Sequence, residues 1–181
     1  MQEKYLEFKL GAPDYVTVET EEERLVCQGG RSAVTAGSTT VEFEDAGEHE
    51  DIFVTSEDAV KCVKLRWNYK IPKSARFFGD AWERTYGDME WHGMSGNRYL
   101  PWYFLAKLSE RILCFGVKVR PSAMCYWQAD TKGITLFLDV RCGNAGVQLK
   151  GRKLCAAQIV CMESQDAGSF ETAQEFCRRM C

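Results

Sequence analysis

Between Gly79 and Gly93 the chain reads GDAWERTYGDMEWHG, and no other stretch gathers so many reactive side chains. Two tryptophans, Trp82 and Trp91, are interleaved with the carboxylates Asp80, Glu83, Asp88 and Glu90, with Arg84 among them and His92 following. Indole faces can stack on sugar rings, and carboxylates can accept hydrogen bonds from sugar hydroxyls, so these residues form a candidate carbohydrate-facing loop. The acids also fall in pairs, Asp80 with Glu83 and Asp88 with Glu90. Glycoside hydrolysis needs two carboxyl groups roughly 5–9 Å apart across the sugar, a separation that spacing along a chain does not establish. An alternative fits the same residue types: the tryptophans fill a core and the charges pair at the surface. Both readings stay open on the sequence.

Other catalytic patterns are missing. There is no G-x-S-x-G, no P-loop, no G-x-G-x-x-G and no H-E-x-x-H. Cys125 and His92 make a poor nucleophile and base, since no third residue is placed to orient the histidine. Nine cysteines stand at positions 27, 62, 114, 125, 142, 155, 161, 177 and 181, without a C-x-x-C pair and far from paired histidines. That spacing predicts neither a metal site nor a cofactor, and it fits reduced thiols in a cytoplasmic protein, several buried as small hydrophobes. The N-terminus lacks a basic segment followed by an apolar run, so no secretion signal is expected. No window approaches eighteen apolar residues, and with a net charge of −3 there is no basic footprint. Membrane and nucleic-acid partners are therefore not expected.

The elements that must position the loop read as strands. From Val63 to Ile71 apolar residues alternate strictly with Lys64, Arg66, Asn68 and Lys70, as in a strand with one solvated face. Tyr5–Leu10, Tyr15–Thr20, Leu25–Cys27, Thr39–Glu44, Ile52–Val54, Ile112–Arg120 and Ile134–Val140 carry shorter versions of the pattern, and 147–149 and 154–160 close the series. Arg98–Leu108 is apolar nearly throughout, which predicts a strand buried on both faces. Trp67, Trp102 and Trp127 fall inside strand patterns and are expected in the core. Asp130–Gly133 predicts a hairpin with Gly133 free to take positive φ, and 45–51 a loop with His49 solvated. Turn signals at roughly 8–12-residue intervals predict an all-β antiparallel sandwich. From Phe170 the spacing turns helical, with Ser169 as a plausible N-cap.

The stretch GDAWERTYGDMEWHG, followed by LPWYFLA (100–106), FGVKVRPSAMCYWQAD (115–130) and GITLFLDVRCGNAGVQLKGRKLCAAQIV (133–160), resembles the N-terminal region of glycoside hydrolase family 36-like proteins, the α-galactosidase group. The resemblance runs from about Val63 to the C-terminus and is most specific between Gly79 and Val160. It implies a large sandwich of the supersandwich type over 1–165, then a helical linker (166–181) towards a catalytic (β/α)8 barrel. The barrel, which needs about 250 residues, would carry both catalytic carboxylates, so no residue of this chain is assigned a catalytic role. The implied function is a non-catalytic domain that supports the barrel and completes its pocket for a galactoside, with Asp80, Trp82, Glu83, Asp88, Glu90 and Trp91 as the substrate-facing residues. A stand-alone carbohydrate-binding module, or a module that assembles homo-oligomers, is the alternative.

Overall fold

Alternating β-branched and aromatic residues make the chain pair with itself wherever one face can be buried. In the computed structural model, which describes residues 4–82, 90–165 and 168–181, the strands are β1 (Tyr5–Glu7), β2 (Tyr15–Thr20), β3 (Arg24–Gln28), β4 (Ala33–Ala36), β5 (Thr39–Asp45), β6 (Glu50–Ser56), β7 (Ala59–Trp67), β8 (Arg76–Gly79), β9 (Leu100–Pro101), β10 (Tyr103–Lys107), β11 (Ile112–Val117), β12 (Met124–Asp130), β13 (Gly133–Asp139), β14 (Val147–Gln148) and β15 (Leu154–Ser164). One helix follows, α1 (Ser169–Met180). Sheet A runs β4-β5-β6-β15-β11-β10-β8, with β1 also on β15, and sheet B runs β3-β2-β7-β13-β12-β9, with β14 also on β7. The strand pairings are antiparallel throughout. The expected all-β sandwich with a C-terminal helix is the architecture observed.

The inward faces of both sheets interdigitate in one core. Its centre is aromatic: Phe104 stacks on Phe115 at 4.7 Å, and Trp127 meets Phe104 edge-on at 5.8 Å and Trp67 at 6.1 Å. Both tryptophans are buried, as their strand patterns predict. A second, smaller core covers the outer face of sheet A. Thr172, Phe176 and Met180 of α1 are buried at helical spacing, and the two apolar ones pack on Leu105, Ile112, Cys114, Val160 and Met162. The middle of sheet A is thus buried on both faces, which is why β10 and β11 read as continuous apolar runs. Gly116 sits under the helix, where an added β carbon would lie 2.6 Å from the Met180 sulfur. Residues 168–181 accordingly pack along the sandwich.

Several local expectations change. The first strand stops at Glu7, because Leu10 and Gly11 give their N–H groups to the Glu50 carboxylate (2.9 and 2.8 Å) and leave the ladder. Strand β4 escapes the periodicity because its residues are small, yet Val34 and Ala36 are buried. His49 is not solvated: its Nε2 lies 2.9 Å from Gln158 Nε2 and 3.3 Å from Asp51, and its Nδ1 is buried without a partner among the described residues. Gly133 is required for close approach and not for positive φ, since a β carbon there would lie 2.0 Å from the Trp67 carbonyl oxygen. Gly168, not Ser169, caps α1, and the Ser169 hydroxyl instead accepts from the Lys107 ammonium at 3.0 Å.

Candidate functional site

Strand β8 lies at the edge of sheet A and launches the 80–91 connection. Gly79 sits in a tight place, since a β carbon would lie 3.0 Å from both Leu100 Cδ2 and the Tyr103 carbonyl oxygen. The connection closes on the same strand, where Phe77 and His92 exchange main-chain hydrogen bonds of 2.7 and 2.8 Å. The two ends of the loop are therefore fixed side by side at one sheet edge. Of the six substrate-facing candidates, Glu83 and Asp88 lie outside the described residues, as does Arg84, and Glu90 is exposed.

The other three separate. Trp82 is 45% exposed and sets its ring edge-on to Trp102 and to Tyr126, each at 5.9 Å. Trp91 belongs to the opposite side of the connection. Its ring packs on Phe78 at 5.5 Å with the Lys107 ammonium 5.8 Å away, beside a groove of about 230 Å³ that Phe170 and Ala173 of α1 also line. No ring contact joins the two indoles among the described residues. Asp80, half-buried, accepts the N–H of Ala81 at 2.9 Å and lines a larger cavity of about 500 Å³ with Trp102, Tyr103, Lys118, Arg120 and Met180.

That cavity depends on a corner in the backbone. At Trp102 the chain crosses from sheet B, through β9, into sheet A, through β10. Trp102 has φ 64°, and Arg120, on the opposite connection, has φ 62°. Left-handed backbone costs an ordinary residue roughly 1–2 kcal/mol, and for a bulky aromatic it is rare. Trp102 is held there from both sheets: its N–H donates to Cys125 O (3.1 Å), and its carbonyl accepts from Val117 N (3.1 Å) and Trp127 Nε1 (3.3 Å). Trp102, expected in the core, packs against it but stays only partly buried, because the corner also places it on the cavity wall. Pro101 was the available warning, since proline inside an apolar run argues against a continuous central strand.

Aromatic residues continue from the corner across the outer face of sheet B. Tyr126 stacks on Phe137 at 4.5 Å and meets Tyr99 at 5.3 Å, and Tyr99 is 57% exposed. Partial burial pushes the Tyr126 hydroxyl up to about 12, which keeps it protonated and able to donate. Met124, one step along the same face of β12, is exposed as well. The arrangement is a shelf of rings beside a cavity that carries one carboxylate and two cations. Such a shelf can stack a ring and hydrogen-bond its rim. It holds no activated nucleophile from Cys125, whose buried thiol is pushed up to about 12. Among the described residues no three His, Cys, Asp or Glu side chains converge to hold a metal, and no helix is long and apolar enough to cross a membrane. No family model matches the chain, and no curated protein matches it.

Proposed function

We propose that this chain is the non-catalytic β-sandwich domain of an α-galactosidase-like glycoside hydrolase, supporting a catalytic barrel and presenting the Trp82 side of the 80–91 connection to its sugar pocket. The observation that supports this reading is the ring shelf. Trp82, Tyr99, Trp102 and Tyr126 lie in successive contact, and Trp82, Tyr99 and neighbouring Met124 are each about half exposed. Exposed apolar groups gathered in one place mark an interaction surface. Rings with a polar tip suit a surface shared between a docked domain and a sugar, because one side packs while the other stays wet. Trp91, turned towards α1, serves the packing of the domain in this reading.

The test is a comparison of Trp82→Ala with the unaltered protein in the full-length parent chain. A rise in KM for an α-galactoside, in a sandwich that still unfolds cooperatively above the assay temperature, is the expected result. An unchanged KM would remove the connection from the sugar pocket. The openness of the same rings also favours a second reading, a stand-alone carbohydrate-binding module. It requires the isolated chain to bind galactosides measurably, with loss of binding in Trp82→Ala, and a flat titration would end it.

A further inference from the structure

The polar groups at the 500 Å³ cavity point to a narrower ligand than a neutral sugar. Lys118 and Arg120 both line it, and neither side chain has a hydrogen-bond or ion-pair partner among the described residues, whereas ten other lysines and arginines there are held in ion pairs. Their backbone is firmly held. Lys118 N donates to Gln158 O at 2.9 Å, Val119 N to Met180 O at 2.8 Å, and Ser122 N to Ala156 O at 3.1 Å. The connection from β11 to β12 is thereby tied at its backbone to both β15 and the end of α1, and it carries its two cations at the cavity. Trp102, Tyr103, Val117, Pro121 and Met180 supply an apolar wall. A concave, largely apolar site of a few hundred Å³ with a few converging polar groups is the usual form of a small-molecule site. Two residues of its lining, Trp102 and Arg120, adopt left-handed backbone, and such outliers concentrate where a particular geometry is needed.

We propose that this cavity binds a monosaccharide that carries an anionic group, phosphate or carboxylate, with the ring against Trp102 and Tyr103 and the anion facing Lys118 and Arg120. The sugar half of this inference rests on the carbohydrate reading above, whereas the anion half rests on the two cations alone. Asp80 on the same wall disfavours an anion at that end.

The experiment is calorimetric titration of the chain with galactose 6-phosphate, galacturonate, galactose and inorganic phosphate, repeated for Lys118→Met, Arg120→Gly and Trp82→Ala. Glycine takes positive φ without strain, so Arg120→Gly removes the cation and keeps the fold, which its melting temperature verifies. The two acidic sugars should bind at least roughly tenfold more tightly than galactose, weaken with added salt, and lose that preference in Lys118→Met and Arg120→Gly. Preference for only one of the two acidic sugars would identify the anion as phosphate or as carboxylate. Equal affinity for galactose and the acidic sugars would overturn the inference while leaving the carbohydrate reading in place, the more so if Trp82→Ala abolished both. Inorganic phosphate binding as tightly as galactose 6-phosphate would overturn the sugar half and, with it, remove this cavity's support for the carbohydrate reading.

Discussion

Replacement of Gly116 by alanine tests how tightly α1 is seated on sheet A. The added methyl would lie 2.6 Å from Met180 Sδ and 2.9 and 3.0 Å from Phe176 Cζ and Cε1. Methionine is flexible and can swing its sulfur away, but the Phe176 ring is fully buried. Overpacking of this kind costs about 1–3 kcal/mol. Alanine recovers about 0.5–1 kcal/mol of that, because glycine is a poor strand residue. The net loss is at most about 2.5 kcal/mol, which for a chain of this length lowers the melting temperature by up to roughly 10 °C. Phe176→Ala alone should cost about 3–5 kcal/mol through the hole it leaves. In that background Gly116→Ala meets no ring, so the overpacking cost falls away and only the alanine gain of about 0.5–1 kcal/mol remains, a coupling between neighbours of about 1–3 kcal/mol. Urea and thermal unfolding, followed by tryptophan fluorescence and circular dichroism, measure all four proteins. An equal loss from Gly116→Ala in both backgrounds would show that the ring does not sit on β11, and the docking of α1 described above would be wrong.

Three further outcomes follow from burial and charge. Trp127→Ala should cost about 3–5 kcal/mol, since the indole is fully buried, whereas Trp82→Ala should cost less, about 1–3 kcal/mol, from two ring contacts at the surface; melting temperatures of the two variants check the contrast. The Arg66 guanidinium, donating at 2.7 Å, and the N–H groups of Lys132 and Gly133 hold the Asp130 carboxyl below its usual range. Its stabilisation is therefore complete above the unfolded value, about pH 4, and is lost as pH falls through the lower folded value. Asp130→Asn should be the less stable protein at pH 7, and the difference should close in urea titrations below about pH 4. Alkylation read by mass spectrometry should reach Cys142 and Cys181 first. Exposed Cys177 should react more slowly, its thiol raised by partial burial and by Cys181 and Asp80, and Cys62, Cys114, Cys125 and Cys161 should react only on unfolding.

The sheets were legible because one solvated face leaves a period of two in the residues. The alternation from Val63 becomes β7, and Ile134–Val140 becomes β13; the two pair with Leu65 opposite Leu136 and both inward. Where burial is two-sided the period vanishes, so Arg98–Leu108 showed a buried strand but hid the corner at Trp102 that divides it. Gly133 illustrates another limit, because its need is set by the Trp67 carbonyl across the sheet and not by its neighbours in the hairpin. The candidate site was legible only at its centre. Asp80 and Trp82 were reachable as a local cluster, but Trp102, Tyr103, Tyr126 and Arg120 come from separate strands and connections that only the sheet pairing brings together. Adjacency in sequence likewise placed Trp91 with Trp82, although the turn back onto β8 sends it to the side that faces α1.

The claim that this sandwich serves a larger glycoside hydrolase is tested most directly by the mass of the native protein in its source cells. An antibody to the chain, followed by intact mass spectrometry and an α-galactoside assay on the captured material, gives the answer. The account predicts a product far larger than 20.6 kDa that hydrolyses the substrate. A product of 20.6 kDa without hydrolytic activity would contradict it.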